Sequence, residues 1–433
     1  MSTRVTTAAE VAADPAAPSR ARGPSAQEAP PSAPAPSSGR GSIRAEAVID
    51  TDAIAANTAE LLRILRRYRA DAALMAVVKA DGYGHGAVES ARAALRGGAT
   101  SLGVATPTEA LELRAAGVEA PVLAWLWPAG EDVRAAIRAG VELGVSSLAH
   151  LDAVLAASPG ARPRIHLKID TGLGRNGVGP ADTDALLAAT AAAVNAGKVQ
   201  LTGLMSHLAS ADVPGDGSVA EQTAVFRSVL DRAAAAGLHA VPRHLANTPA
   251  VLDHPATHFD LARCGIGIYG LNPVVTPAAL RPAMTLRGTI ALTKRVPAGY
   301  GVSYGLTYRT SRETTLALVP LGYADGIPRA ASSVGEVWLG GTRRRIAGRV
   351  AMDQFVVDCG DDPVSAGAEV IVFGPGDQGE PTAEEWAQAC GTIGYEIVTR
   401  IGPRVPRRYR GTDPEREHPP LGASPADAGR DDR

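Results

Sequence analysis

Lysine is nearly missing from this chain: Lys79, Lys168, Lys198 and Lys294 stand against thirty-nine arginines. A guanidinium stays protonated at any biological pH, so chemistry that needs an uncharged amine, as nucleophile or base, has only four positions to use. Cysteine is equally scarce. Cys264, Cys359 and Cys390 lie far apart, which excludes a disulfide framework and a zinc motif and fits a reducing, cytoplasmic compartment. Neither charge is in excess, with 43 basic and 45 acidic residues, and nothing in that balance favours nucleic acid or an anionic membrane surface. The first forty residues have only Val5 and Val11 as branched apolar side chains, too few for a signal-peptide core or a membrane span. Segments 1–41 and 411–433 are therefore expected to be disordered tails.

Between the tails, short apolar runs alternate with Ala/Leu/Arg-rich helical stretches, the signature of repeated βα units. The runs are ALMAVVK (73–79), SLGVA (101–105), PVLAW (121–125), VELGV (141–145), RIHLKID (164–170), QLTGLMSH (200–207), VPRHLA (241–246) and HFDLAR (258–263). Eight such units predict an α/β fold with a (β/α)8 TIM barrel over 42–283. An earlier strand leads into a helix capped near Asp50 or Thr51, with Ile54, Leu61, Leu62 and Leu65 on one face. Beyond 284 the runs TIALTKRV, TTLALVPLG, GEVWLG, RRRIAGRV, FVVD and EVIVFG, broken by Gly and Pro, predict a mostly antiparallel β domain over 284–410.

Barrel active sites lie at the C-terminal ends of the strands. Lys79, Arg175, His207, Asn247, Thr248 and Arg263 all fall there, which places an amine, two guanidiniums and an imidazole on one rim. In RIHLKID the alternation sends Ile165, Leu167 and Ile169 one way and His166, Lys168 and Asp170 the other, toward the barrel interior. A buried ammonium needs a partner, either Asp170 or a chemical change of Lys168 to an anionic carbamate. The glycines of RCGIGIYG, 263–270, allow backbone N–H groups to approach an anion closely, and the loops after strands seven and eight commonly hold phosphate in this architecture.

AVVKADGYGHG, KIDTGLGRNGVG, SHLASAD, ANTPA, RCGIGIYG, VSYGLTY, GYADGIPR, RVAMDQ and GYEIVTRIGPRVPRRY occur in an order and spacing that resemble the alanine racemase family across residues 42–410. The resemblance implies pyridoxal 5′-phosphate as cofactor, L- and D-alanine as substrates, a homodimer with shared active sites, D-alanine for peptidoglycan, and no metal. It implies that Lys79 holds the cofactor covalently and then serves as the base for the D-isomer, while Tyr304 of the neighbouring subunit serves the L-isomer through a chain to His207 and Arg263. It further implies that Arg263 faces the ring nitrogen, that Tyr83, Thr248, Gly265, Ile266 and Tyr395 bind the phosphate with Asn247 beside them, and that Arg175 and the backbone of Met352 bind the substrate carboxylate. Tyr323 would gate the entrance, and Lys168 would be carbamylated or replaced in its role by a bound chloride. Gly82 stands where the family often has alanine, and Ala351 stands where it often has cysteine; the second departure makes a roomier pocket that could admit serine. The rival readings are a broader-specificity racemase, a non-catalytic pyridoxal-phosphate carrier and a metal-dependent aldolase. A signal peptide, a lone barrel or a His/Cys cluster would mark these, and the sequence has none of the three.

Overall fold

The computed structural model describes residues 43–412 apart from 240 and 276, so nearly all of both expected tails lies outside the described residues. Strand β1 (Ala45–Asp50) runs into a helix, Thr51–Tyr68, capped by Asp50, whose carboxylate accepts from the backbone N–H of Asp52 at 3.1 Å and of Ala53 at 3.0 Å. These bonds occupy donors that the first helical turn cannot satisfy itself. Ile54, Leu61, Leu62 and Leu65 are buried, the face that a 3.6-residue period selects.

Eight parallel strands follow: β2 (Ala73–Val77), β3 (Ser101–Val104), β4 (Val122–Ala124), β5 (Glu142–Val145), β6 (Arg164–Lys168), β7 (Gln200–Met205), β8 (Arg243–His244) and β9 (Leu261–Cys264). They neighbour one another in the order β8-β7-β6-β5-β4-β3-β2-β9. Asp260 N donates to Arg243 O and Arg263 N to Ala246 O, each at 2.9 Å, which bridges β8 to β9 and closes the ring. The expected barrel is present with every strand in its expected place. Two strands end earlier than expected in a way that matters: β2 stops at Val77 and β7 at Met205, so Lys79 and His207 stand on the loops beyond them. Ile165 and Leu167 join the apolar cluster that includes the helices, whereas Met75, Leu123, Met205 and Leu261 fill the barrel interior.

The remaining strands are β10 (Met284–Thr289), β11 (Leu292–Val296), β12 (Gly301–Val302), β13 (Tyr308–Arg309), β14 (Thr314–Val319), β15 (Glu336–Leu339), β16 (Thr342–Arg345), β17 (Phe355–Asp358), β18 (Glu369–Phe373) and β19 (Arg407–Arg410). They form a six-stranded sheet β16-β15-β18-β10-β1-β19, a three-stranded sheet β11-β14-β17 and the pair β12-β13. β1 lies within 42–283 in sequence yet pairs with β10 and β19 rather than with any barrel strand. TIALTKRV reads as one strand but divides in two: Ile290 N bonds Ala368 O while Ala291 N bonds Leu318 O, so the chain leaves one sheet there and enters another. Two helices, Ala383–Cys390 and Gly394–Thr399, follow the last of the expected strand runs, the first opened by a capping box of Thr382 and Glu385. Among the described residues no helix is long and apolar enough to cross a membrane.

Asp325 ties Arg44, the residue that precedes β1, to the loops of the β sheets. Fully buried, it accepts from Arg44 at 2.9 Å and from the backbone of Gly322 at 2.9 Å, and lies 3.3 Å from Arg404. Asp325→Ala removes the acceptor of the buried Gly322 N–H and the charge the two arginines share, although Arg44 keeps the carbonyls of Pro320 and Arg404 and Arg404 keeps Asp353. Chemical denaturation should show a loss of roughly 2 kcal/mol, discounted because both arginines are half exposed.

Candidate functional site

The stretch after β2 turns back left-handed. Ala80, Asp81, Gly82, Tyr83 and Gly84 have φ of 52°, 50°, 61°, 53° and 80°, and three of them carry a Cβ that disfavours this region by about 1–2 kcal/mol each. Side chains hold the strained turn. Glu109 Oε1 accepts from Ala80 N at 2.8 Å, Asp81 Oδ1 accepts from Ala87 N at 2.9 Å, and His85 Nδ1 lies 2.9 Å from Tyr83 O. Burial takes His85 down to about 4 and keeps it neutral, so its Nδ1–H donates to that carbonyl. The result presents Lys79 at the barrel mouth with Tyr83 beneath it, the lysine Nζ 6.0 Å from the ring centroid.

A cavity of about 400 Å³ opens at this end of the barrel. Of the residues singled out in the sequence, Lys79, Tyr83, Lys168, Arg175, His207, Asn247, Thr248, Arg263, Gly265, Ile266 and Tyr395 line it. Among the described residues no Asp or Glu lines it, and its positive charges depress one another. Lys79 is lowered by burial and then by Arg175, with Glu109 opposing. Lys168, pressed by burial and then by Arg263 and Arg175, falls to about 7. The Lys168–Asp170 pair does not form: Asp170 Oδ1 instead accepts from the backbone of Gly172 and Gly174 at 2.9 and 3.1 Å.

Arg263, on β9, is held by backbone carbonyls, donating to His244 O at 2.8 Å, Ser206 O at 2.5 Å and Leu245 O at 3.1 Å. Its nitrogens also lie 3.3 Å from His207 Nδ1 and 3.2 Å from His244 Nδ1. Burial lowers it to about 10, which leaves it charged at neutral pH. Since a guanidinium only donates, both imidazole nitrogens must accept. That agrees with burial holding His207 and His244 well below the ordinary histidine value.

At the opposite wall Asn247 caps the short helix Thr248–Asp253 by accepting from Ala250 N at 3.2 Å, which fixes Thr248 beside Gly265 and Ile266. Burial raises the phenols of Tyr83 and Tyr395, so both stay protonated and able to donate. Residue 265 must be glycine, because a Cβ built there overlaps Tyr83 Oη.

Tyr304, Met352 and Tyr323 do not join this cavity. They are exposed by 71%, 53% and 44%. Tyr304 sits on a strained loop in which Ser303 has φ 60°, ψ −174° and Leu306 has φ 47°, conformations that persist where surroundings demand them. Trp125 and Thr399 line the cavity without having been singled out in the sequence. Trp125 ends the PVLAW run at a barrel mouth, a position that could have flagged it, and Gly103 and Gly144 leave room for its side chain. Glu109 was missed as well, its only sequence mark being the capping box with Thr106.

A closed barrel whose strand ends open on a cavity of amines, guanidiniums and hydroxyls defines a TIM-barrel enzyme. Residues 49–273 match the family described as alanine racemase, N-terminal domain, and residues 283–409 match alanine racemase, C-terminal domain. The alanine racemase of Frankia casuarinae is 57% identical over 374 residues, covering 85% of this chain and 96% of that protein, and the one from Thermobifida fusca is 56% identical over 371 residues, covering 85% and 98%. The crystal structure of alanine racemase from a D-cycloserine-producing Streptomyces lavendulae superposes with a TM-score of 0.84 at 53% identity, covering 88% of this chain and all of that one. The chain belongs to the alanine racemase family, and its activity is alanine racemisation.

Gly265→Ala should push Tyr83 out of the cavity. Turnover of alanine should fall at least about tenfold, and a crystal structure of the variant should show the displaced phenol.

Proposed function

We propose that this chain interconverts L- and D-alanine with pyridoxal 5′-phosphate bound in the barrel-mouth cavity, using Lys79 and Tyr304 of the partner subunit as two bases on opposite faces of the substrate. The observation that carries the reading is the cavity itself, which sets a lowered amine, a buried guanidinium and protonated hydroxyls around a space free of carboxylates. That donor set suits a group with an aldehyde for the amine and a phosphate for Tyr83, Thr248, Tyr395 and the backbone at Gly265 and Ile266. When bound, the cofactor withdraws electrons from the substrate α-carbon and acidifies its C–H bond. Arg263 would face the ring nitrogen and, being cationic itself, would disfavour a proton there.

Lys79 Nζ, lowered toward neutrality, takes or returns the α-proton on one face and serves the D-isomer. A single base tends to restore the hand it started from, so the opposite face needs another. Tyr304 is exposed on a strained turn outside its own chain's cavity, which suits donation to a neighbour and makes the homodimer the working unit. Its phenol must lose a proton whose reference pKa is about 10. His207, neutral and accepting from Arg263 at Nδ1, carries its hydrogen on Nε2 and can donate it to the phenolate. Arg175 and the backbone N–H of Met352 of the partner subunit bind the substrate carboxylate, and Tyr323 gates the entrance. The D-alanine formed in the cytoplasm supplies peptidoglycan synthesis.

Lys168, with its amine near neutrality, is poised to attack carbon dioxide. The N–C bond forms, one proton leaves, and the carbamate anion sits among Arg263 and Arg175. The neutral amine predominates only above about pH 7, so a carbamate carbon signal from 13C-bicarbonate should grow from about pH 6 to about pH 8. It should be absent from Lys168→Arg.

The division of the site between chains has a direct test. Lys79→Ala and Tyr304→Phe should each be nearly inactive alone, the second losing α-proton exchange from L-alanine more than from D-alanine. Subunit exchange between the two should recover about a quarter of wild-type turnover, because half the dimers are hybrids and each hybrid has one intact site. Hybrids verified by native mass spectrometry that recover nothing would rule out the shared site.

A further inference from the structure

The barrel interior holds a second polar structure that the racemisation steps above leave unused. Glu142 on β5, His166 on β6 and His244 on β8 are exposed by 5%, 2% and 0% and are joined in series. Glu142 Oε2 lies 2.5 Å from His166 Nε2, His166 Nδ1 lies 2.9 Å from His244 Nε2, and His244 Nδ1 lies 3.2 Å from Arg263 Nη1. Arg164, half exposed, bonds Glu142 Oε1 at 2.5 Å, and Thr202 Oγ1 donates to Oε2 at 3.3 Å.

The direction of this series is fixed from both ends. Arg263 can only donate, so His244 Nδ1 must offer a lone pair and His244 must carry its hydrogen on Nε2. That hydrogen points at His166 Nδ1, which leaves the His166 hydrogen on Nε2, aimed at Glu142. An ionised carboxylate can only accept, and although burial opposes its charge, the His166 hydrogen bond and Arg164 hold the Glu142 carboxyl below its ordinary value. Any other arrangement of hydrogens sets two donors or two acceptors face to face inside the barrel, where the mismatch is most costly. The fold also makes room for the series. Gly203 on β7 does not have a left-handed φ, yet a Cβ built there overlaps His166 Nδ1 and comes within 3.0 Å of His244 Nε2. Glycine is required at 203 by the imidazole pair, not by the backbone.

We propose that Glu142, His166 and His244 are positioning residues: a hydrogen-bond series of fixed polarity that orients Arg263 from inside the barrel and keeps the imidazole beneath it an acceptor. The proposal rests on the reading that Arg263 faces the cofactor ring. Removing the carboxylate at the far end frees the polarity, lets a hydrogen settle on His244 Nδ1 against the guanidinium, and loosens Arg263.

Solid-state NMR of the holoenzyme labelled with 15N-histidine tests this without relying on turnover. Two imidazoles, assigned by their loss in His166→Gln and His244→Gln, should each carry hydrogen on Nε2 alone. Glu142→Gln, whose amide can donate as well as accept, should move one or both hydrogens to Nδ1 and lower kcat about tenfold with KM changed by less than about twofold. Glu142→Asp, again an acceptor only, should restore the wild-type tautomers and most of kcat. Either imidazole protonated on Nδ1 in the wild type, or Glu142→Gln losing thermal stability while tautomers and kcat stay unchanged, would overturn the proposal. Arg263→Lys with unaltered cofactor absorbance and kcat would instead sink the role given to Arg263 while leaving the tautomers as assigned, so the two failures are distinguishable.

Discussion

A permanently charged guanidinium buried inside a barrel, with no carboxylate touching it, is the constraint on which the rest of the site depends. Arg263 is satisfied by three carbonyl oxygens and two imidazole nitrogens. None of these carries a negative charge to cancel its own. Burial, reinforced by this uncancelled field, keeps His207 and His244 neutral and depresses Lys168, and the guanidinium acts with Lys79 and Arg175 to give the cavity an excess of positive charge. A carboxylate beside Arg263 would neutralise that field and bring its neighbours back toward their ordinary values. The absence of Asp and Glu from the lining is thus as much a part of the site as the cations are.

Strain is placed where this field must be met by a precise geometry. The turn 80–84 is left-handed across five residues, and only two of them are glycine. Such a turn persists because Glu109 and His85 each hold one of its backbone groups and Asp81 ties it to the backbone of Ala87, and two of these side chains are themselves fixed, Glu109 by the capping box with Thr106 and His85 by stacking at 4.4 Å on Tyr269. The second strained place, around Ser303 and Leu306, carries Tyr304. Each of these two segments adjoins or carries a residue read as a base, Lys79 before the first and Tyr304 within the second, whereas Ser333, also left-handed at φ 60°, bears none.

Much of this was legible in the chain. The barrel strands are short apolar runs bounded by turns, and eight of them in series leave few alternatives. Alternation along β6 foretold which side chains of RIHLKID face inward, and Asp50 announced the helix that follows it. The partners of those inward side chains were not legible. His166 meets Glu142 and His244 because the ring closes, and no local pattern marks residues on three different strands as neighbours. β1 shows the same limit: its alternation and length say strand, but the choice of β10 and β19 over the barrel is made by a sheet assembled from the far end of the chain. Glu109 and Trp125 escaped notice because each acts across a loop through its side chain.

The scarcity of lysine now has a physical account. Lys198 and Lys294 are exposed, whereas Lys79 and Lys168 line the cavity. Lys168 and Arg263 undergo comparable burial in the same place, and the outcome differs by residue type. The amine comes down to about 7, a bias of roughly 5 kcal/mol against its charged form. The guanidinium, even at about 10, keeps its proton. One environment thus yields both a group that exchanges protons near neutrality and a group that holds a fixed charge, solely through the choice between two side chains of the same sign. A chain that uses arginine for nearly every other cation leaves the two lysines that line its cavity as the amines that this environment can bring into use.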